Sequence, residues 1–583
     1  MKSDSIFAIL KRTYGLLSAH ERKRSTLLLI TIFLNSIVEI LGLAVIVPVI
    51  GLVVQPDTIQ TNPTLKTAFD QVSHIGINTP SRFLIALCLL MIGAFLFKAL
   101  FGLAVNLFQS RFSFAVAHRL SGEMWTHHFS QSLERMRGTD SGRILSEINS
   151  WPLVFANVFM IGGLMILTEI SVITLIASGL LLYNPIVFLS IAFLLATGAI
   201  IIRKATKRRL TAYSEIQRQI GPHTNTLITN AVRGFLEVIT FRASDAVRNT
   251  YQKDRWILFR ISSNTSVLNL TPAKLYEVLA VVAVAGSIII ALLQGTPESG
   301  FLELLTFMAI SAYRIMPSMS RLNGAIMQMR GQKYALETME TGTLTKSQQS
   351  SATPSTISKS TTIDIHLQHV TLAYEALDKP VIENLEHTFT AGRLHGIVGP
   401  SGSGKSTLIS SLLGLHTPEN GSIQILTSDG KPIRLGEDID LHDWVLNVGY
   451  LSQQPFLFQG SVKDNLTLRV PDASINEDLV ANLIHQLNLT DCLGPNPLTF
   501  ELQEGGSNLS GGQQQRLALL RALQIQRPVL ILDEATSALD HKLRDVVFGL
   551  LRERANSGCN VILVTHDMEL AEKCDDVLNM GTL

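Results

Sequence analysis

Residues 399–407, Gly-Pro-Ser-Gly-Ser-Gly-Lys-Ser-Thr, fit the spacing GxxxxGK followed by Ser or Thr. Glycines let a backbone wrap a phosphate with its N–H groups, Lys405 adds a mobile positive charge, and Ser406 offers a hydroxyl to Mg²⁺. The run LHGIVG (394–399) reads as a buried strand ahead of the loop. The helix behind it points its positive end at the phosphates. A second element, PVLILDEATSALD (528–540), reads as a strand over 529–532 that ends in two acids. Asp533 suits Mg²⁺ through a water, and Glu534 suits a base that polarises an attacking water. Two acids at a strand end are only moderately informative by themselves; paired with the phosphate loop they point to a nucleoside triphosphatase.

A third element narrows the reading. In NLSGGQQQR (508–516), ahead of a helix, the residues Leu509, Ser510, Gly511, Gly512 and Gln513 resemble the signature of ATP-binding-cassette (ABC) ATPases. That resemblance assigns Gly399, Ser401, Gly402, Ser403, Gly404, Lys405, Ser406 and Thr407 to the ATP-binding loop. Tyr374, 25 residues before Gly399, resembles the aromatic that stacks on adenine. Gln453, in YLSQQPFLFQGSVKDNL, resembles the glutamine that senses the γ-phosphate, and it joins Ser406 and Asp533 as an implied Mg²⁺ partner. Asp540 resembles the aspartate that follows the two acids, and His566, in VILVTHD, resembles the switch histidine that acts with Glu534 and Gln453 in hydrolysis. Glu504, in ELQEGG, resembles the acidic loop of exporters, with looser flanks. A lone histidine at a strand end is usually structural; its position beyond Glu534 favours the functional reading.

These elements occupy only the last part of the chain. Of 583 residues 46% are hydrophobic and 16% charged, against about 25% charged in an average protein. The deficit falls before about residue 325. Apolar stretches there, at about 26–54, 83–108, 153–183, 186–203, 272–294 and 301–325, are long enough to cross a bilayer as six helices, with Asn184-Pro185 breaking a run too long for one span. A net charge of +1 gives no overall field for nucleic acid. Cys88, Cys492, Cys559 and Cys574 form no close pair, so reduced thiols are expected rather than a disulfide framework or zinc site. The N-terminus, interrupted by Lys11 and Arg12, is unlike a cleavable signal.

Lys and Arg placement sets the expected topology. Basic residues crowd the N-terminus, the 109–152 segment and the 203–271 segment, including RKATKRR (203–209), whereas the alternate loops are poor in them. Six spans with the N-terminus and the ATPase domain in the cytoplasm satisfy this pattern. The two basic segments are too long for structureless loops and read as helices that run on, reverse and return. Short helices within about 138–145 and 225–240 are the expected coupling contacts. The expected domains are a transmembrane domain over 1–340, a Ser/Thr-rich linker over 341–362, and an α/β phosphate-loop ATPase domain over 363–583.

Six helices followed by one cassette resemble a half-transporter of the ABC exporter class. The resemblance implies ATP and Mg²⁺, and a second chain, because each ATP lies between the loop of one cassette and the signature of the other. No degenerate position among Lys405, Gln453, Ser510, Glu534 and His566 favours a homodimer. The first and sixth spans, with Glu39, Pro48 and AYRIMPSMSRLNGAI, resemble bacterial lipid-linked oligosaccharide flippases. That implies flipping of a lipid-linked substrate, such as a polyprenyl-pyrophosphate glycan, across the inner membrane among its lipids. A general lipid, drug or peptide exporter, and a membrane-anchored ATPase that moves nothing itself, stay open. Nothing resembles a Cys-His peptidase pair. Arg314 lies deep in the sixth span, where a charge needs a partner or a wet cavity; with Arg321, two turns later on nearly the same face, it is the candidate grip on an anionic head group, against the competing readings that Arg314 pairs with an intramembrane acid such as Glu39, Glu169, Glu277 or Glu303 and that Arg321 already stands in the cytosol.

Overall fold

The structure, a computed structural model, describes residues 5–46, 49, 52, 66–67, 69–71, 79–131, 136, 138–183, 185–294, 298–344, 362–374, 379–428, 432–439, 441–470, 475–536 and 539–581, with backbone only at 43–44, at 442 and at some positions within 180–214 and 280–313. The chain divides into two compact units, one of residues 1–131 and 136–348 and a second that holds residues 349–583.

The first unit is helical. Its long elements are α1 (Ala19–Ala44), α2 (Pro80–Phe129), α3 (Gly162–Tyr183), α4 (Pro185–Arg233), α5 (Ser244–Gln294), α6 (Glu298–Gly331) and α7 (Lys333–Leu344), after a short helix Ile6–Gly15. A helix satisfies its own backbone hydrogen bonds, which hydrocarbon demands. Among the described residues, Ala19–Gly42, Pro80–Phe129 and Ser141–Gly179 are long and apolar enough to cross a bilayer. Along α2, Leu89, Leu90, Ile92, Leu96, Phe97, Leu100 and Leu103 are each 59–65% exposed. An apolar face of that extent is unstable in water and at home in lipid. Inside the unit, Leu28, Leu120, Phe155, Phe159, Met329 and Leu336 close into one fully buried cluster.

The expected stretches differ from the helices at their ends. The first helix starts at Ala19 rather than 26, α2 runs on to Phe129, and α4 and α5 fill most of the second basic segment. The chain reaches α3 through π-helical turns, Ser146–Ser150 and Phe155–Ile161. The linker expected from residue 341 begins later, because α7 continues to Leu344. Thr341 Oγ1 donates back to Glu337 O at 2.9 Å, Arg12 pairs with Glu340, and a Cβ on Gly342 would collide with Met124 Sδ. Local hydroxyl bonding and close packing thus hold a helix that composition alone argues against. Residues 345–361 lie outside the described residues.

The second unit is α/β. Strands β1 (Ile363–Leu372), β2 (Ile382–Phe389), β4 (Asn420–Thr427) and β5 (Pro432–Arg434) form an antiparallel sheet in the order β2-β1-β4-β5. Strands β3 (Leu394–Val398), β6 (Val448–Leu451), β9 (Val529–Asp533), β10 (Asn560–Val564) and β11 (Asp576–Asn579) form a parallel sheet in the order β11-β3-β10-β9-β6. Two short strands, β7 (Gly460–Ser461) and β8 (Glu501–Leu502), pair separately. β3 and β10 are buried along their whole length, as strands covered on both faces must be. Helices α8 (Lys405–Leu412), α9 (Gly511–Gln524) and α10 (His541–Asn556) lead off from the loops at the strand ends.

Back in the helical unit, Arg314, Ser318 and Arg321 stand at positions i, i+4 and i+7 of α6, one face of a helix. Arg314 is 8% exposed, with Nη2 at 2.5 Å from Glu39 Oε2 and 4.0 Å from Glu169 Oε2. Arg321 Nε donates to Glu169 Oε1 at 2.5 Å. Of the acids weighed as competing partners, Glu39 and Glu169 are the ones met, in ion pairs that tie α6 to α1 and α3. Burial in an apolar surrounding makes an unpaired charge costly and so selects for this pairing. Arg314→Ala leaves Glu39 without its arginine, while Glu169 keeps Arg321. The expected loss is about 3–5 kcal/mol, read as a lower unfolding midpoint and a lower yield of monodisperse protein in detergent. A double variant, Arg314→Met with Glu39→Met, should recover much of it. Wild-type stability in Arg314→Ala would show that the pairing does not hold the helices.

Candidate functional site

The site is built by the carboxyl ends of the parallel strands. β3 ends at Val398 and passes into the phosphate loop, where Gly402 and Gly404 take φ of +85° and +90°. Side chains other than glycine avoid that region. Gly404 caps α8, and a Cβ there would meet Val381 and Ile382 at 3.0 Å. Lys405 is 8% exposed and its Nζ donates to Gly399 O at 2.7 Å and Pro400 O at 2.9 Å. The ammonium is thus folded over its own loop. Ser403 Oγ is buried with no hydrogen-bond partner, an orphaned donor that a ligand in the loop would satisfy. Thr407 Oγ1 lies 3.2 Å from Tyr374 OH, and the Tyr374 ring leans on His416 with centroids 4.8 Å apart. Ser401 and Ser406 sit in the loop and the first turn of α8.

Next to β3 lies β10, and beyond it β9 and β6, so three more loops open on the same edge. β9 delivers Asp533 and Glu534. Burial, with the Glu534 carboxylate beside it, pushes the Asp533 carboxyl above its usual range, and Lys405 and His566 pull it back. Glu534 holds a left-handed backbone, φ +51°. Its N–H donates to Val564 O at 3.0 Å and its carbonyl accepts from Gln515 Nε2 at 3.0 Å. Its carboxylate accepts from Gln453 Nε2 at 2.9 Å on one oxygen and lies 2.7 Å from His566 Nε2 on the other. Gln453 follows β6 and His566 follows β10. A cleft of about 230 Å³, lined by Val398, Gly399, Pro400, Thr565, His566 and Met568, opens beside the loop.

The structure therefore brings together Lys405, Asp533, Glu534, Gln453 and His566, drawn from four separate stretches of sequence. It adds Gln515, a buried residue on α9 that sequence reading passed over. Its only signal is position, two residues past the signature.

The signature itself folds as a cap. Ser510 Oγ accepts from the Gln513 N–H at 3.4 Å and Gln513 Oε1 accepts from the Ser510 N–H at 2.8 Å, the reciprocal pattern of a capping box. Leu509 is 7% exposed, while Gly511 and Gly512 open α9 with its positive end outward. Among the described residues, no hydrogen bond or ion pair joins residues 509–513 to the phosphate loop. Asp540 caps α10 by accepting from the Leu543 N–H at 2.8 Å. Arg314 and Arg321 belong to the helical unit and its ion pairs.

Residues 382–537 match the ABC transporter family. The chain is 36% identical over 214 residues to the mesentericin-Y105 transport/processing ATP-binding protein MesD of Leuconostoc mesenteroides, covering 36% of this chain and 28% of that protein. It is 34% identical over 218 residues to the ATP-dependent lipid A-core flippase of Saccharophagus degradans, covering 37% of this chain and 36% of that one. The chain thus spans about a third of the length of these curated relatives. A bacterial Atm1-family ABC exporter solved with ATP bound superposes with a TM-score of 0.73 at 20% identity, over 92% of this chain and 94% of that one, which shows a shared fold. Residues 382–537 are thus an ABC transporter ATP-binding domain, and the helical domain ahead of it shares the fold of an ABC exporter.

Proposed function

We propose that the chain, paired with a second identical copy, couples ATP hydrolysis to the flipping or export of a lipid-linked substrate across a bacterial inner membrane. The observation that carries the reading is the meeting of Lys405, Asp533, Glu534, Gln453 and His566 at neighbouring strand ends. In this reading Lys405 and the N–H groups of residues 399–407 hold the phosphates, and Tyr374 carries the adenine. Bound Mg²⁺ would offset the charge of the phosphates; Ser406, Asp533 and Gln453 are the residues that would hold it. Glu534 polarises the attacking water, and His566 orients it. The half-buried Asp533 carboxyl, within the influence of Lys405, suits a divalent cation.

The dimer reading rests on chain arithmetic: one phosphate loop and one signature per chain, both intact. The capped Ser510 turn, with the open end of α9 behind it, suits a γ-phosphate presented by a second copy. The Lys and Arg distribution supports a cytoplasmic N-terminus and cytoplasmic ATPase domain. Support for a lipid-linked substrate comes from the flippase relative, and a polyprenyl-pyrophosphate glycan is the form we favour. The relative named for mesentericin transport favours, as a second reading, a general lipid, drug or peptide exporter. Flipping assays in proteoliposomes, comparing a polyprenyl-pyrophosphate glycan with a plain phospholipid, separate these readings. ATP-dependent movement of neither, without substrate-stimulated hydrolysis, would leave an anchored ATPase.

Two outcomes test the hydrolytic site. Glu534→Gln should lower ATP turnover by about 10²–10⁴-fold while ATP still binds; retention of more than roughly a tenth of wild-type turnover would remove Glu534 from the role of base. Mixing Ser510→Arg chains with Lys405→Ala chains should restore part of the activity that each lacks alone. In the mixed dimer one site carries both defects and the other neither. A mixture as inactive as its parents would count against shared sites.

A further inference from the structure

Away from the ATP site, the seam between the two sheets holds a cluster with different chemistry. His395 lies on β3 and faces Asp576, its register partner on β11. His387 comes from β2, in the antiparallel sheet. His395 is 1% exposed, and its Nδ1 is 3.5 Å from Asp576 Oδ2; His387 Nε2 is 3.4 Å from the same oxygen. Both nitrogens are buried without a hydrogen-bond partner. The three ligand atoms all lie within 4.8 Å of one another.

An imidazole–carboxylate hydrogen bond is shorter than these separations, usually about 2.7–3.2 Å. The geometry is nearer to that of a shared cation. Ligand atoms at about 2.0–2.1 Å from a tetrahedral zinc ion stand about 3.4 Å apart. The outer side of His395 is held by one residue: Nε2 accepts from the Thr390 N–H at 2.9 Å and lies 3.0 Å from Thr390 O. A cation at Nδ1 requires the other tautomer, in which Nε2–H donates to the Thr390 carbonyl and Nδ1 keeps its lone pair. Phe389 packs edge-on against both rings, 4.6 Å from His387 and 5.3 Å from His395 between centroids, and limits their rotation. Two imidazoles and one carboxylate select a first-row transition ion over Mg²⁺ or Ca²⁺.

We propose that His387, His395 and Asp576 form a binding site for a divalent transition-metal ion, zinc foremost, with a water completing the shell on the partly exposed Asp576 side. The ion staples β2 of one sheet to β3 and β11 of the other. β3 runs into the phosphate loop four residues beyond His395, and the N–H of Met580, just past β11, bonds to Val398 O at 2.8 Å. The staple thus braces the strand on which the ATP loop is mounted.

The test uses the full-length protein in detergent, with any affinity tag removed, stripped by chelator and exposed to ZnCl₂. Wild type should retain about one zinc ion per chain after desalting, and zinc should raise its unfolding midpoint. With Co²⁺ in place of zinc, the visible bands of a four-coordinate nitrogen–oxygen site should appear. His387→Ala and, separately, Asp576→Asn should weaken retention roughly tenfold or more and remove the midpoint shift and the cobalt bands. Asp576→Asn, at a partly exposed position, serves where His387→Ala fails to fold. Equal zinc retention by wild type and variant, or none by wild type, overturns the proposal.

Discussion

The parallel pairing of β3, β10, β9 and β6 is the constraint on which the nucleotide site depends. In a parallel sheet all strands end on the same edge, so side chains just past four strand ends become neighbours whatever their separation in sequence. Val561 pairs with Leu394 and with Leu530, and Val448 with Val529, which sets the heights of the ends. Complete burial of β3 and β10 makes a register slip costly, since there is no solvent face to move to. That rigidity also holds the left-handed backbone of Glu534, a conformation that costs of order 1–3 kcal/mol in a residue other than glycine. Val564 O and Gln515 Nε2 fix its two peptide groups from either side, so strain is carried at the residue whose carboxylate must be aimed.

What was legible in the sequence follows from the range of the interactions involved. The phosphate loop could be read because its glycines serve local backbone geometry, and Gly402 and Gly404 take the positive φ that the motif anticipates. The strand ahead of Asp533 could be read because a strand buried on both faces is an unbroken apolar run. Contacts between distant stretches were opaque. Nothing near Gln515 announces that its amide reaches Glu534, and nothing near Arg314 says which of several acids it meets. The histidines at 387 and 395 meet Asp576 only because β2 and β11 both approach β3. The Ser/Thr-rich tail of α7 misled for the opposite reason: composition argued for a linker, while Arg12 and the close packing at Gly342 supplied tertiary support that composition does not record.

The two units meet the same problem, buried charge, in different ways. In the helical unit the buried Arg314 and the partly exposed Arg321 are neutralised by Glu39 and Glu169, and the charges become fasteners between helices. Such a fastener is stiff while paired and costly when broken. Relative sliding of α6 against α1 and α3 therefore carries an electrostatic threshold that apolar packing alone would lack. In the ATPase unit the charges are left unequal: Asp533 and Glu534 adjoin each other, with Lys405 folded onto its own loop. Adjacent carboxylates repel, and a cation between acids and phosphates relieves that repulsion. The unit is electrostatically unfinished in a way the helical unit is not.

That contrast bears on how hydrolysis would be held back. Both Glu534 carboxylate oxygens are engaged, one by Gln453 and one by His566. Each oxygen keeps a lone pair for a water, but the two contacts draw on the carboxylate's charge and weaken it as a base, so loosening either one strengthens it. His566 follows β10 directly and is anchored by a strand buried along its length. Gln453 instead heads an irregular stretch that runs from Leu451 to Gly460. The glutamine side is thus the softer of the two restraints. An event that draws Gln453 away, whether it begins at a γ-phosphate or in the chain beyond residue 453, would free the base while His566 still orients it. One amide contact, worth roughly 1 kcal/mol or somewhat more with a charged acceptor, is then a sufficient brake: small enough to be released by binding, and large enough to slow hydrolysis several-fold until it is.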